Sequence, residues 1–441
     1  MEPPHLNPLR QIAIIALAMI ATIPGVYLSL THPEIHPIIS ASLYGMAIVG
    51  AAFLLAWAAE VVQLDIAAGL AIALLALIAV LPEYAVDFVL TASAGTEFLE
   101  TGAAEQYGHL ALANMTGGNQ LLIGFGWPLV VLLGTWRVRK LRSAPGESEG
   151  ATPNAIHLAR GQSVDIAFLA VATLYGMTLS LKESLTLVDA GVLVAIYVLY
   201  LMRLSNAPPQ QPHLVGPSAY IGSLPRRRRR IINYSGFVLA AAVIIQCAHP
   251  FAESIIEMGE AIGVSDFLLI KWIAPTASEA PELLVAALFA WRLASRTGLG
   301  ALVSSKVNQW TLLVGTLPIV FAVFSRSFHG LPLDEIQRVE LFVTASQSVF
   351  AVAILASRSM STREALLMFG LFMAQVGESL LAEFGVISEA NSLFAREMVA
   401  VAFILAAVWA LWGNVGKMRT ILRDGFRASW AQLAEEEPVR S

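Results

Sequence analysis

Two segments place a carboxylate next to a proline within long apolar runs: Leu81-Pro82-Glu83 and Ala280-Pro281-Glu282. A carboxylate at bilayer depth costs about 2.5–3.5 kcal/mol on insertion scales, and a proline there removes a backbone hydrogen bond. Because both costs recur in the two halves of the chain, the pattern indicates an internal duplication around a cation site. Broken helices at equivalent positions of two halves are typical of transporter binding sites.

Two further carboxylates accompany this pair. Glu279 lies three residues before Glu282 and therefore on the same helical face, and Asp87 lies four residues after Glu83. Each is a candidate second ligand or proton carrier, since two close carboxylates favour proton uptake by one of them. For Asp87 the alternative is a position near the membrane interface.

Polar amides follow each Pro-Glu segment on the next apolar run. The first run holds Asn114-Met115-Thr116-Gly117-Gly118-Asn119-Gln120 and the second holds Ser304-Ser305-Lys306-Val307-Asn308-Gln309. Asn114, Asn119 and Asn308 are candidate cation ligands, and the alternative is that they form hydrogen bonds between helices. The repeated Asn-Gln pair favours Asn119 and Asn308 as ligands.

Lys306 lies within the second polar motif, and its ammonium group is itself a cation. A buried lysine needs a partner, and we expect Lys306 to pair with Glu279 or Glu282. It could act as a tethered cation that the transported ion displaces, which would couple transport to protons. The alternative is a structural ion pair.

The composition is that of an integral membrane protein. Apolar residues make up 57% of the chain and charged residues 13%, with a mean hydropathy of +0.69, whereas soluble domains are about 25% charged. The single cysteine, Cys247, excludes an internal disulfide. The first apolar run, Gln11 to Leu30, is long enough to span and shows no clear signal-peptide cleavage site.

Hydropathy predicts an all-α protein with about twelve membrane-spanning helices. The gaps rich in lysine and arginine all fall on one side in this count, so that side is predicted to be cytoplasmic, with both termini inside and the protein in the cell (inner) membrane. The predicted helices cover residues 10–30, 39–61, 66–91, 109–134, 162–181, 185–203, 232–256, 266–291, 300–325, 339–357, 364–384 and 397–414.

The orientation of the two Pro-Glu helices predicts an inverted repeat. The third and eighth predicted helices run in opposite directions, so helices 2–6 and 7–11 form two five-helix halves. The predicted organisation is an N-terminal segment with an extra helix, a first half, a Pro/Arg-rich cytoplasmic linker, a second half, and an extra helix with a cytoplasmic tail. These parts cover residues 1–36, 37–203, 204–230, 231–386 and 387–441.

The linker and the tail carry two secondary predictions. The linker contains five consecutive arginines, Arg226 to Arg230, and five prolines, and it reads as flexible. Its arginines are interpreted as a topology determinant, with binding to anionic lipid headgroups as the alternative. The tail from Thr420 to Leu433 has the spacing of an amphipathic surface helix.

The two motif pairs resemble those of the cation/calcium exchanger superfamily, the sodium/calcium exchanger membrane region. Its repeats carry a Thr-Ser-x-Pro-Glu-like motif followed by a Gly-Asn-x-x-Gly-Ser-Asn-like motif, and here they read AVLPEYAVD with ALANMTGGNQ, then ASEAPELLVA with ALVSSKVNQW. The resemblance implies that Glu83 and Glu282 are the central ion-binding carboxylates. It also implies that Asn119 and Asn308 occupy the place of the family's asparagine.

The sequence departs from that pattern where the family supplies side-chain oxygens. The Thr-Ser pair is Ala79-Val80 in the first repeat and Ser278-Glu279 in the second. A further asparagine is replaced by Leu122 and Thr311. Calcium takes roughly six to eight oxygen ligands. A calcium site here would therefore also draw on backbone carbonyls freed by the prolines.

These observations together predict a secondary cation antiporter that works by alternating access, with calcium, sodium or protons as the transported ions and no cofactor. The alternatives are a sodium/proton antiporter and a non-transporting membrane protein derived from an exchanger. An intramembrane enzyme is disfavoured, because the sequence has no HExxH or GxSxG motif. The predicted partners are inorganic cations and membrane lipids, with no nucleic acid.

Overall fold

The computed structural model describes residues 7–33, 35–65, 81–141, 150–208 and 214–434. Two π-helical segments, π1 and π2, interrupt otherwise continuous helices, and four short strands lie between helices. The N-terminal part of the chain, up to Leu204, contains α1 Pro8–Thr31, α2 Pro37–Val62, α3 Leu81–Thr101, α4 Gln106–Leu121, π1 Leu122–Gly126, α5 Trp127–Leu141, β1 Ala155–His157, α6 Ser163–Leu179, β2 Ser184–Leu185 and α7 Leu187–Leu204.

The remainder begins with the short helix α8. It contains α8 Pro217–Ser223, α9 Arg226–Ile262, α10 Asp266–Trp291, α11 Ser295–Asn308, π2 Gln309–Leu313, α12 Val314–Ser325, β3 Leu331–Pro332, α13 Glu335–Leu355, β4 Ser359–Ser361, α14 Thr362–Glu383, α15 Glu389–Leu411, α16 Val415–Arg427 and α17 Trp430–Ala434.

The predicted all-α membrane fold is confirmed. Among the described residues, eleven helices are long and apolar enough to cross a membrane. The predicted third helix is described only from Leu81, because residues 66–80 lie outside the described residues. Its described part, α3, continues to Thr101 instead of ending near residue 91, so the acidic stretch after Ala94 extends this helix. The count of twelve stays a prediction.

The described chain forms two compact units. Unit 1 comprises residues 1–90 and 204–282, and unit 2 comprises residues 91–203 and 283–441. In unit 1, α2 packs along α1 and along α9. Gly50 allows the close approach of α1, because a Cβ at this position would meet the Ala18 carbonyl at 2.6 Å. Small residues thus replace bulky ones at this interface, as is usual between membrane helices.

The strand pairs of unit 2 fix the relative direction of two helices. β1 precedes α6 and pairs with β4, which follows α13, whereas β2 follows α6 and pairs with β3, which precedes α13. Since α6 starts where α13 ends, the two helices are antiparallel. They are the fifth and tenth predicted helices, equivalent in the two halves, so their opposite direction agrees with the inverted repeat.

The arginine run differs from the predicted flexible linker. It forms the first turns of α9, which begins at Arg226 and not near residue 232. Asp65, after the end of α2, binds Arg229 at 2.9 Å and Arg230 at 3.1 Å, and Arg226 lies 3.7 Å away. Part of the run therefore neutralises a buried carboxylate, while Arg227 and Arg228 are exposed.

The C-terminal amphipathic segment is helical as predicted, but it is docked on the protein. Helix α16 packs against α6 and buries Ile421, Asp424 and Gly425. Asp424 accepts a hydrogen bond from Arg160 Nε at 2.9 Å, and Arg423 lies 3.2 Å away. Burial by itself raises the pKa of the Asp424 carboxyl, but the bonds and charges of Arg160 and Arg423 outweigh burial and hold it below its usual value.

The depressed pKa predicts how docking of α16 depends on pH. The favourable contribution of ionised Asp424 is present above its unfolded pKa of about 3.9 and is lost only as pH falls through the lower folded value. We therefore expect limited trypsin cleavage after Arg419 and Arg423 to be slow and constant between pH 6 and pH 8, and faster in Asp424→Asn. Equal cleavage in both proteins would contradict this anchoring role.

Candidate cation site

Unit 1 contains all four candidate carboxylates. Glu83 and Asp87 on α3 are 3% and 1% exposed, and Glu279 on α10 is 2% exposed. Glu282 is half-buried. Carboxylates are seldom buried to this extent unless they are paired or bind a cation. Their burial therefore fits their predicted function as cation ligands.

Pro281 lies within a continuous helix, whereas Pro82 is the second described residue of α3. Helix α10 runs from Asp266 to Trp291 and contains Pro275 and Pro281 in its interior. Each proline lacks an N–H, so the carbonyl four residues earlier loses its helical donor. For Pro281 that carbonyl belongs to Ala277, two residues before Glu279. For Pro82 it belongs to Ile78, which lies outside the described residues, as do Ala79 and Val80.

Unit 2 contains the candidate amides, and all are buried. Asn114 and Asn308 are 1% exposed, and Asn119 is fully buried. The amide nitrogen of Asn119 donates to the Met115 carbonyl at 2.9 Å, one turn earlier on α4. This bond leaves the Oδ1 of Asn119 directed at other partners. The residue is therefore positioned to accept a hydrogen bond or to bind a cation with that oxygen.

Lys306 donates hydrogen bonds to two oxygens of Asn119. The fully buried ammonium of Lys306 donates to the backbone carbonyl of Asn119 at 3.1 Å and to its Oδ1 at 2.5 Å. The same ammonium lies 4.8 Å from the centre of the Trp310 ring, a cation–π distance. The ammonium group of the second amide motif therefore binds an asparagine of the first amide motif. The predicted pairing of Lys306 with Glu279 or Glu282 stays a prediction.

Each amide motif leads into a π-helical segment. π1 starts at Leu122, shortly after Asn119, and π2 starts at Gln309, directly after Asn308. π-helical turns are rare and often mark functional sites, because the extra residue shifts the backbone hydrogen bonds. Pro128 and Pro318 follow the two segments. The shared interruption supports the internal duplication independently of the side chains.

A further sequence repeat lies at the start of the equivalent helices α6 and α13. It is not one of the motifs described above. Residues 158–166 read LARGQSVDI and residues 333–341 read LDEIQRVEL. Gln162 accepts from the Ala159 N–H at 3.2 Å, and Gln337 accepts from the Asp334 N–H at 2.9 Å, so the two glutamines close the helix starts in the same way. The pattern Leu-x-x-x-Gln-x-Val-acid was the available sequence signal.

The repeated acids, Asp165 and Glu340, each bind the amide-motif helix of the opposite half. Asp165 Oδ1 accepts from Ser304 at 2.7 Å and from Tyr200 at 2.6 Å. Glu340 accepts from Gln120 Nε2 at 3.3 Å. Both acids are buried. The inverted repeat therefore contains a second pair of equivalent carboxyls, separate from Glu83 and Glu282.

Glu340 also belongs to a buried ionic network. Arg396 on α15 lies 3.0 Å from Glu340 and 3.1 Å from Glu378 on α14, and Ser392 donates to Glu378. Gln375 donates to Gln120 Oε1 at 2.7 Å. The extra C-terminal helix α15 is thereby tied to the first amide motif.

Among the described residues, no three His, Cys, Asp or Glu side chains are grouped so that they could hold a metal ion. The predicted ligand set also includes amide, hydroxyl and backbone oxygens. This donor set suits hard cations such as sodium and calcium. It does not resemble the compact nitrogen and sulfur sites of zinc.

Solved structures with the same fold are membrane exchangers. The chain is 34% identical to a protein described as the H+/Ca2+ exchanger CAX, over 94% of this chain and 98% of that chain, with a TM-score of 0.82. It is 15% identical to native YfkE, over 89% and 99% of the two chains, with a TM-score of 0.55, which shows the fold alone. No curated protein matches the sequence.

The match of the family profile covers most of the chain and both predicted halves. The profile described as sodium/calcium exchanger protein matches residues 36–205 and 232–380, and both Pro-Glu segments and both amide motifs fall within it. Together with the 34% identity to an exchanger over nearly the whole length, this match shows that the chain belongs to the sodium/calcium exchanger family of multi-pass membrane transporters.

Proposed function

We propose that the protein exchanges calcium for protons across the cell membrane by alternating access. The observation that carries the proposal is the 34% identity, over 94% of the chain, to an H+/Ca2+ exchanger. The buried carboxylates Glu83 and Glu279 support it, since groups of this type bind either a divalent cation or protons. In this mechanism Glu83 and Glu282 are the central ligands, Glu279 is a further ligand, and Asp87 carries a proton.

The amides complete the proposed ligand set. Asn114, Asn119 and Asn308 are buried, and they offer neutral oxygens that contribute to a calcium site without adding charge. The ammonium of Lys306 already binds Asn119, so it competes with an incoming ion for the same oxygens. Ion binding at Asn119 then requires Lys306 to move away.

A second candidate function is sodium/proton exchange. The observation that favours it is the loss of a side-chain oxygen at Leu122, together with the lysine on Asn119. A site with fewer oxygens is better suited to a monovalent ion than to calcium.

Reconstitution of the purified full-length protein in liposomes separates these functions. We expect an imposed proton gradient to drive calcium uptake in the absence of sodium, and calcium addition to release protons. Sodium flux coupled to protons, without calcium flux, would instead support the second function. No flux of any of the three ions would support a non-transporting protein.

The proposed orientation places the end of unit 2 that carries β1 and β4 in the cytoplasm. This end of unit 2 is basic. At or near it lie Arg160, Arg203 and Arg358, together with the basic helix α16. An excess of basic residues marks the cytoplasmic side. We propose that both termini are cytoplasmic. Labelling of a single cysteine introduced at Ser429 in Cys247→Ser, from outside and after permeabilisation, tests the side of the C-terminal segment.

Replacement of Lys306 by glutamine tests its competition with the transported ion. The ammonium makes charge-assisted hydrogen bonds worth about 1.5–3 kcal/mol, so their loss should raise the apparent affinity for calcium about ten- to hundredfold. Calcium-dependent transport measured from low to high calcium gives this affinity. If Lys306 is structural, the variant should instead show unchanged affinity and a lower melting temperature.

A further inference from the structure

Asp165 and Glu340 occupy equivalent positions in the inverted repeat, but their partners differ in chemistry. Both follow the same Leu-x-x-x-Gln-x-Val sequence at the start of equivalent helices, and both bind the amide-motif helix of the other half. Asp165 is bound by two hydroxyls, whereas Glu340 is bound by a guanidinium and an amide NH2. The two halves thus retain the carboxyl position but surround it differently.

The difference decides which carboxyl can change its protonation state. A guanidinium and an amide NH2 can only donate, so they fit the ionised form of Glu340. A hydroxyl donates to a carboxylate and accepts from a carboxylic acid, so Tyr200 and Ser304 fit both forms of Asp165. In the described residues no arginine or lysine forms an ion pair with Asp165, and a buried carboxyl without a cation is cheaper to bury in its neutral form.

Ser304 links Asp165 to the second amide motif. It lies on α11 one helical turn before Asn308 and two residues before Lys306. When Asp165 is ionised, the hydroxyl of Ser304 donates to it, and when Asp165 is protonated the hydroxyl can accept from it. Proton binding at Asp165 therefore changes the hydrogen bond that holds this part of α11.

We propose that Asp165 is a proton-binding site of the transporter, distinct from the Pro-Glu carboxylates, which reports its protonation to the second amide motif through Ser304. The inference rests on the proposed cation/proton exchange. One proton binds a carboxylate oxygen of Asp165 and later leaves it as a proton, so that no other covalent bond changes. Glu340, held by Arg396, is the equivalent position in its permanently ionised form.

The charged groups around Asp165 come from several elements. Tyr200 belongs to α7, and the ring of Tyr197 lies beside it in a tilted arrangement, 6.1 Å away between ring centres. Helix α11 contributes Lys306, which is bound to Asn119, and Arg296, which donates to the His157 carbonyl. Helix α16 and the turn before α6 contribute the Asp424–Arg160 pair. Helix α13 has no ionisable residue between Leu341 and Leu355, and neither does π2.

The test measures the apparent calcium affinity of the reconstituted full-length protein against pH. Each proton that competes with calcium adds about one to the slope of log affinity against pH. We expect Asp165→Asn to lower this slope by about one, because the amide preserves the shape but cannot bind the proton. Asp165→Glu should restore the slope, since it restores a carboxyl.

Glu340→Gln is the matched control, because it alters the equivalent carboxyl that we infer to be always ionised. Its slope should equal that of the wild type even if its melting temperature falls. An unchanged slope in Asp165→Asn, or an equal loss of slope in Glu340→Gln, would overturn the proposal. Absence of calcium/proton exchange in the wild type would instead overturn the proposed function.

A spectroscopic measurement covers the case in which Asp165→Asn does not fold. Infrared difference spectra of the wild-type protein, labelled with 13C-carboxyl aspartate, should show loss of a protonated carboxyl band when calcium is added. Tyr200→Phe in the same background should shift this band, because it removes one hydroxyl partner. No isotope-sensitive band above the carboxylate region, or a band that Tyr200→Phe does not shift, would contradict protonation of Asp165.

Discussion

Glu83→Gln and Glu282→Gln are each expected to abolish cation transport while the protein stays folded. Glutamine preserves the size of the side chain and one oxygen, but it removes the negative charge that compensates a dehydrated cation at membrane depth. Glu83 is 3% exposed, so solvent cannot replace the lost charge. Calcium flux into liposomes measures the effect, and the melting temperature in detergent reports the folded state.

Glu100→Gln is the matched control for Glu83→Gln, because Glu100 lies on the same helix but is exposed. It should transport at the wild-type rate. Near-normal flux in Glu83→Gln or Glu282→Gln would argue strongly against the carboxylate mechanism. Loss of flux in both variants together with loss of the folded protein would show a structural role for these carboxylates.

Arg396→Leu is expected to have the largest effect on stability. Arg396 is 9% exposed and neutralises both Glu340 and Glu378, which are 2% and 6% exposed. Removal of one partner from a buried ion pair costs about 3–5 kcal/mol, because a buried charge is left uncompensated. Here two carboxylates lose the same cation, so we expect a cost at the upper end of that range in denaturant titrations.

Two further variants separate charge from packing. Arg423→Ala removes an exposed arginine that also contacts a carboxylate, and it should cost less than about 1 kcal/mol. Combining Arg396→Leu with Glu340→Gln and Glu378→Gln should recover much of the lost stability, since this network then contains no buried ionised group. If the triple variant is as unstable as Arg396→Leu alone, packing of the arginine and not its charge stabilises α15.

The sequence alone determined the fold class and the family. Apolar runs of membrane-spanning length, the duplicated Pro-Glu segments and the basic gaps depend on composition and order along the chain, which hydropathy reads directly. The motifs AVLPEYAVD and ASEAPELLVA were sufficient to identify the exchanger family, which the family profile confirms. The choice of transported ion was not determined, because it depends on the number and placement of oxygens around the site.

Only the tertiary structure decided which buried polar side chains meet. Lys306 binds Asn119, a residue of the other half of the chain, and no sequence motif indicated this contact. Asp165 and Glu340 gained significance only when their contacts with the opposite amide-motif helices and the paired strands showed their equivalence. In a membrane helix nearly every face is apolar, so hydropathy does not show which face of the helix is turned toward its neighbours. The direction of a polar side chain is then set by helix packing.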